Sequence, residues 1–207
     1  MNQLHLKICG MRDSENILAV SELEPDWLGF IFYASSPRYV GTDFQFPMLN
    51  NRIKRVGVFV NEVQEVTLAK IVKYRLNAVQ LHGAESVAYC EGVRKQNVKV
   101  IKVFHIDADF DFETTVPYQS VSDYFLFDTR GKSWGGNAFK FDWQLLTKYT
   151  GETPFFLSGG ITPADCEAIR SLSHRSLIGI DVNSGVESAP GMKDIEKVRE
   201  LISSLNH

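Results

Sequence analysis

Eight short apolar runs, separated by polar or glycine-bearing stretches along 207 residues, narrow the fold more than any other feature. They are "LHLKIC" (4–9), "WLGFIF" (27–32), "RVGVFV" (55–60), "AVQL" (78–81), "VKVIKVF" (98–104), "YFLF" (124–127), "PFFL" (154–157) and "SLIGID" (176–181). Short, mostly apolar runs of this kind suit strands buried on both faces. Amphipathic stretches lie between several of them. Residues 13–23 open on Asp13 or Ser14 as a cap and carry Ile17, Leu18 and Leu23 to one side. Residues 61–75 predict a helix with Val63, Val66, Ile71 and Val72 facing in. Residues 162–172 place Thr162 at the cap and Pro163 in the first turn. A closing helix over 194–205 carries Ile195, Val198, Leu201 and Ile202. Pro117 and β-branched residues make 105–119 the weakest helical stretch. Alternating strands and helices imply parallel βαβ units. Eight of them predict an α/β chain folded as a single-domain (β/α)8 TIM barrel over 1–207, ahead of an open doubly wound sheet.

Hydrophobic residues make up 44% of the chain, enough for a sizeable core, and the formal charge is −3. Nucleic acid is therefore not an expected partner, because a phosphate backbone calls for a basic face. No membrane partner is expected either, since no apolar stretch approaches the length of a span and "MNQLHLKICG" lacks the apolar region of a signal peptide. Cys9, Cys90 and Cys166 form no CxxC pair, which points to reduced thiols and a cytoplasmic protein.

In such a barrel the chemistry sits at the C-terminal strand ends and in the loops that follow. Cys9 ends strand 1, Arg38 lies in the loop after strand 2, and Gln80 and His82 bracket the end of strand 4. Asp128 follows strand 6, "SGG" follows strand 7 and Asp181 ends strand 8. Gly159, Gly160, Ser184 and Gly185 lie in the loops after strands 7 and 8, where backbone N–H groups commonly hold a phosphate. Two glycine-bearing loops at these strands favour a phosphorylated small molecule over plain tight turns. Arg38 has the fork to clamp a carboxylate, although alone it would read as a surface arginine. Asp128 leaves an apolar barrel end, so burial is expected to raise its pKa toward the range of a general acid. Cys9, taken alone, is a small buried hydrophobe. The histidines do not supply a ligand set well, which leaves no metal expected and His82 to orient a neighbour or to pack.

Seen together, "KICG" (7–10), "LGFIFYASSPRYV" (28–40), "GVFVN" (57–61) and "VQLHG" (79–83) form an ordered series. "FDTRG…GGNAFKFDW" (127–143), "LSGGITPAD" (157–165) and "DVNSGVESAPGMKD" (181–194) continue it to the end. The series resembles the phosphoribosylanthranilate isomerase family of tryptophan biosynthesis, over essentially the whole chain. The resemblance implies a (β/α)8 barrel that carries out an Amadori rearrangement without a cofactor. It also implies Cys9 as general base, Asp128 as general acid, Arg38 on the substrate carboxylate and Gly159, Gly160, Ser184 and Gly185 on its phosphate. Gln80, His82 and Asp181 are expected to line the substrate site of a monomer or homodimer. Two stretches depart from the family pattern. Asn137 and Ala138 stand in the loop after strand 6, and "GMRD" follows Cys9, where Arg12 adds a positive charge. The nearest rival, the histidine-pathway aminoaldose isomerase on the same fold, resembles an aspartate at the end of strand 1, where this chain has Cys9. A phosphate-metabolite binder is the rival from another class, and it would need neither Cys9 nor Asp128.

Overall fold

The computed structural model describes residues 4–129 and 140–206. The expected loop departure at Asn137 and Ala138 lies outside the described residues. Eight strands close into a parallel barrel in chain order: β1 (His5–Ile8), β2 (Trp27–Ile31), β3 (Lys54–Phe59), β4 (Ala78–Leu81), β5 (Lys99–Ile106), β6 (Tyr124–Thr129), β7 (Phe155–Leu157) and β8 (Leu177–Val182). β1 pairs with both β2 and β8, so the first and last strands meet at a seam. The apolar runs became strands because both of their faces are covered. Leu6, Ile8, Leu28 and Phe30 point outward into the larger core beneath the helices. Trp27, Val56, Ala78, Ile101, Val103, Leu126 and Phe156 fill the barrel itself.

The surrounding layer is less regular than eight complete units would make it. The α-helices are α1 (Ser14–Ser21), α2 (Gln64–Tyr74), α3 (Val87–Arg94), α4 (Cys166–Ser171) and α5 (Ile195–Asn206). Among the described residues, the connections after β2, β5 and β6 contain no α-helix. After β2, an aromatic strap covers the barrel instead. Phe46 meets Phe30 edge to face with centroids 4.4 Å apart, and Phe44 and Tyr74 complete the cluster. After β5, the weak helical stretch is realised as a 3-10 segment, Phe112–Tyr118. The helix expected over 162–172 starts as a 3-10 turn, Pro163–Asp165, before becoming α4. α3 was not among the expected helices.

The expected inward face of α2 is corrected. Val63, Val66 and Val72 are exposed, whereas Thr67, Ile71 and Tyr74 are buried. Tyr74 decides the rotation, because its ring stacks on Phe32 and closes the aromatic strap. Leu18 of α1 is likewise exposed, while Ile17 is fully buried. The antiparallel pair β9 (Glu187–Ala189) and β10 (Met192–Lys193) follows β8 beside the barrel mouth.

This rotation of α2 makes a contrast that denaturation can read. Ile71→Ala should cost about 2–5 kcal/mol, as for a truncated core aliphatic. Val72→Ala should stay within about 0.5 kcal/mol, as for a surface change. Urea unfolding of both variants checks this, and the reverse order would contradict the placement.

Candidate active site

Side chains alternate along a strand, so Lys7 and Cys9 share the barrel interior while Leu6 and Ile8 turn outward. Both are buried, Lys7 at 0% exposure and Cys9 at 4%. The parallel register sets Lys7 beside Asp181 across the β1–β8 seam. There the Lys7 Nζ donates to Asp181 Oδ1 at 2.8 Å. Gly29 on β2 leaves room above the pair. A Cβ at that position would lie 2.7 Å from Cys9 Sγ and 3.1 Å from Lys7 Nζ. Thiol and ammonium therefore share one small space. Burial pushes the Cys9 thiol up and Asp181 adds to the rise; Lys7 and Lys193 pull it down without cancelling this, so the thiol stays above its ordinary value. Burial alone would lower Lys7, but Asp181 and Cys9 outweigh it and hold the ammonium above its ordinary value.

A second buried network lies beside the first. Arg38 Nε donates to both Glu187 carboxylate oxygens, at 2.9 and 3.1 Å, and its Nη2 donates to Oε2 at 2.6 Å. Lys193 Nζ reaches Glu187 Oε1 at 2.7 Å and Asn183 Oδ1 at 2.8 Å. Burial pushes the Glu187 carboxyl up, yet Arg38 and Lys193 outweigh it and hold the group below its usual range. The guanidinium of Arg38 is thus oriented from within the chain. Arg12 takes no part here. Its Nη1 donates to the Pro37 carbonyl at 2.9 Å.

Across the mouth, Asp128 on β6 faces His82, which follows β4. His82 Nε2 lies 3.5 Å from Asp128 Oδ2. The Gln80 amide meets His82 Nδ1 at 2.9 Å; with the amide donating, the ring proton sits on Nε2, toward Asp128. Gln80 is buried, and its Oε1 has no hydrogen-bond partner among the described residues. His105 stands opposite Asp128 in the β5–β6 register, and its ring centroid is 5.1 Å from that of His82. The expected rise in the Asp128 pKa is corrected. Burial does push it up, but hydrogen bonding and charge from His82, with His105 and Ser158, hold the carboxyl below its ordinary value. The histidines, expected to supply a ligand set poorly, do bring His105 beside His82 and Asp128. One ligand atom each of His82, His105 and Asp128 lies within 4.8 Å of the others, a donor set that could take a divalent ion.

The loops after β7 and β8 form the third side. Gly159 has φ +104°, and a Cβ there would meet Thr129 Oγ1 at 2.1 Å, so glycine is required on both counts. Gly160 also has a positive φ of 67°. Gly185 packs against the Ile161 carbonyl, where a Cβ would lie at 1.9 Å, and this locks the two loops together. Ser184 begins a 3-10 turn, Ser184–Val186, and is exposed. The turn after Gly160 is closed by Asp165, whose carboxylate accepts from Thr162 N at 2.7 Å. Any anion held by these loops therefore rests on their backbone donors more than on a long helix.

Sequence reasoning brought Cys9, Asp128, Arg38, Gln80, His82 and Asp181 to one mouth, and the structure places them there. It missed Lys7, Glu187 and Lys193. Strand alternation carried the missing signal, since a lysine two residues before an inward cysteine must itself point inward.

Glu187 stabilises the fold above the unfolded glutamate value, and this contribution is lost as pH falls through its depressed folded value. Glu187→Gln should therefore cost about 3 kcal/mol at neutral pH, leaving two buried cations without their carboxylate. The deficit should shrink below about pH 4.3, where the unfolded chain takes up the proton. Urea unfolding across that range checks this; a deficit that stays constant would contradict it.

Comparison with known proteins places this geometry. The family model for N-(5'phosphoribosyl)anthranilate (PRA) isomerase matches residues 6–204. The N-(5'-phosphoribosyl)anthranilate isomerase of Parabacteroides distasonis is 45% identical, over 98% of this chain and 93% of the relative. The crystal structure of phosphoribosyl anthranilate isomerase from Thermotoga maritima superposes with a TM-score of 0.85 at 33% identity, covering 98% of each chain. A further isomerase structure, in complex with reduced 1-(o-carboxyphenylamino)-1-deoxyribulose 5-phosphate, gives a TM-score of 0.81 at 32% identity and covers 98% of each chain.

Proposed function

Because the chain belongs to the N-(5'-phosphoribosyl)anthranilate isomerase family, isomerases of tryptophan biosynthesis, we propose a specific reaction at its barrel mouth. N-(5-phospho-β-D-ribosyl)anthranilate is converted to 1-(2-carboxyphenylamino)-1-deoxy-D-ribulose 5-phosphate by a cofactor-independent Amadori rearrangement. Cys9 is the general base and Asp128 the general acid. The observation that carries this reading is the delivery of a buried thiol by β1 and a carboxyl by β6 to the same mouth.

The chemistry runs in three steps. Asp128 gives a proton to the furanose ring oxygen, the bond from that oxygen to C1 breaks, and an iminium forms between C1 and nitrogen. The iminium acidifies C2, so Cys9 as thiolate takes the C2 proton and the bond electrons form an enolamine. The C2 hydroxyl then releases its proton while C1 gains one, which yields the ketone with no atom gained or lost. Asp128 rests as a carboxylate in the free protein, so the proton must reach it before ring opening. His82 Nε2, 3.5 Å away, orients the carboxyl, and the proton comes from solvent as substrate enters. Substrate assists, because it displaces water and brings a phosphate charge that favours the protonated carboxyl.

Binding follows from the ends of the molecule. Arg38 meets the anthranilate carboxylate, and Gly159, Gly160, Ser184 and Gly185 hold the phosphate through backbone donors. Gln80 and His82 line the sugar, and Asp181 lies beneath it, paired with Lys7. The complex of the 32%-identical isomerase with a reduced product analogue supports this substrate class. The protein works in the cytoplasm as a monomer or homodimer; no helix among the described residues is long and apolar enough to cross a membrane.

Cys9→Ser and Asp128→Asn should each lower kcat/KM by about 10²–10⁴-fold with unchanged circular dichroism, since each removes one proton-transfer group. Near-normal rates in both would remove the assignment. Arg38→Lys keeps the charge but loses the planar fork, and should raise KM by about tenfold with little change in kcat. Complementation of a tryptophan auxotroph lacking this isomerase tests the activity itself, and failure to support growth of a well-expressed protein would contradict it.

A further inference from the structure

Lys7 is the barrel residue that neither the packing nor the proposed proton transfers require. Its ammonium has 0% exposure, and an apolar side chain of similar length would fill the same space without the several kcal/mol that burying an ion costs. The charges around Cys9 give it a purpose. Three buried cations, Lys7, Arg38 and Lys193, face two buried carboxylates, Asp181 and Glu187. One positive charge is left over. The groups that act on Cys9 are Lys7 on its own strand, Asp181 from β8 and Lys193 from β10. Lys193 is held by Glu187 and Asn183, and the Lys7 ammonium, held by Asp181, shares the space over Gly29 with the sulfur.

We propose that Lys7 is a positioning residue, which Asp181 clamps so that its ammonium eases the loss of the Cys9 proton that burial opposes. The ammonium keeps its proton throughout. The sulfur alone takes the C2 proton, and the ammonium beside it favours giving the proton up again. Asp181 thus orients the cation, and Gly29 keeps clear the gap through which cation and sulfur meet. Burial favours a neutral thiol, and an ammonium beside the sulfur is the kind of neighbour that opposes this.

The inference rests on the reading of Cys9 as the base, and the test separates the two. Alkylation of Cys9 by iodoacetamide, followed by peptide mass spectrometry across a pH series, reports its ionisation without interference from Cys90 and Cys166. The same series gives the acidic limb of kcat/KM. Lys7→Met should move both midpoints up by about one pH unit, a tenfold loss of rate at neutral pH, with little change in KM. Lys7→Met/Asp181→Asn, which leaves no carboxylate unpaired, should do the same, and Lys7→Arg should recover part of the loss. Midpoints that stay in place in the folded double variant would make the ion pair mere packing and overturn the proposal. If instead Cys9→Ser keeps near-normal turnover, it is the base assignment that fails, whatever Lys7 does to the sulfur.

Discussion

A lysine and an aspartate with almost no exposure, 2.8 Å apart, join the first strand of the chain to the last. Neither charge is tolerable in a barrel interior without the other, because desolvation of a lone buried ion outweighs what the surroundings return. β1 and β8 must therefore pair in the one register that brings Lys7 level with Asp181. Closure of the barrel and assembly of its mouth are in this way a single event. The same register places Cys9 above the pair, over the gap left by Gly29. Below it, the interior is apolar from Trp27 to Phe156. Above it, the side chains are ionic or hydrogen-bonding. The ion pair marks the boundary between the part of the barrel that stabilises and the part that reacts.

The two sides of the mouth are organised by opposite means. On the β1 and β8 side, the Lys7–Asp181 pair lies beside the Cys9 sulfur, and Arg38 and Lys193 share Glu187. On the β4–β6 side, Asp128 is surrounded by donors, with His82 set by Gln80 and His105 opposite in the ladder. A carboxyl held ionised by its neighbours and a thiol beside an ammonium are the pair to which we assign divided tasks. Such separation of proton affinities by environment is how one cavity can run acid and base chemistry together. The glycine loops form the third side, the proposed anion cradle, whose shape depends on Gly159 and on Gly185 resting against Ile161.

Much of this was legible from residue order. The eight apolar runs became eight strands within a residue or two, because each is sheathed on both faces and nothing competes for it. Cys9 and Asp128 were legible because each terminates such a run, where the fold exposes strand ends. What escaped depended on contacts between distant segments. The rotation of α2 was misjudged because Tyr74 answers to Phe32 and Phe46, which no local period reveals. α3 was missed because Gly92 weakens its pattern, yet that glycine is needed where Gln64 crosses, with a would-be Cβ at 2.4 Å from Nε2. The pKa of Asp128 was expected to move the wrong way because burial could be guessed and the His82 contact could not. Lys7 was passed over because a lysine in a strand suggests a solvent-facing position, although its spacing from Cys9 already fixed the opposite face.

The most direct measurement of the account is a crystal structure of the protein with a reduced product analogue, which holds the sugar chain open at the mouth. The account predicts Cys9 Sγ about 3–3.5 Å from C2, a distance suited to proton transfer. On the other side of the chain, the Asp128 carboxyl should lie about 2.6–3.2 Å from the oxygen that closed the furanose ring. Phosphate at Gly159 and Gly185 with both groups in reach would bear out the division of labour. A chain bound with Cys9 or Asp128 remote from those atoms would contradict it.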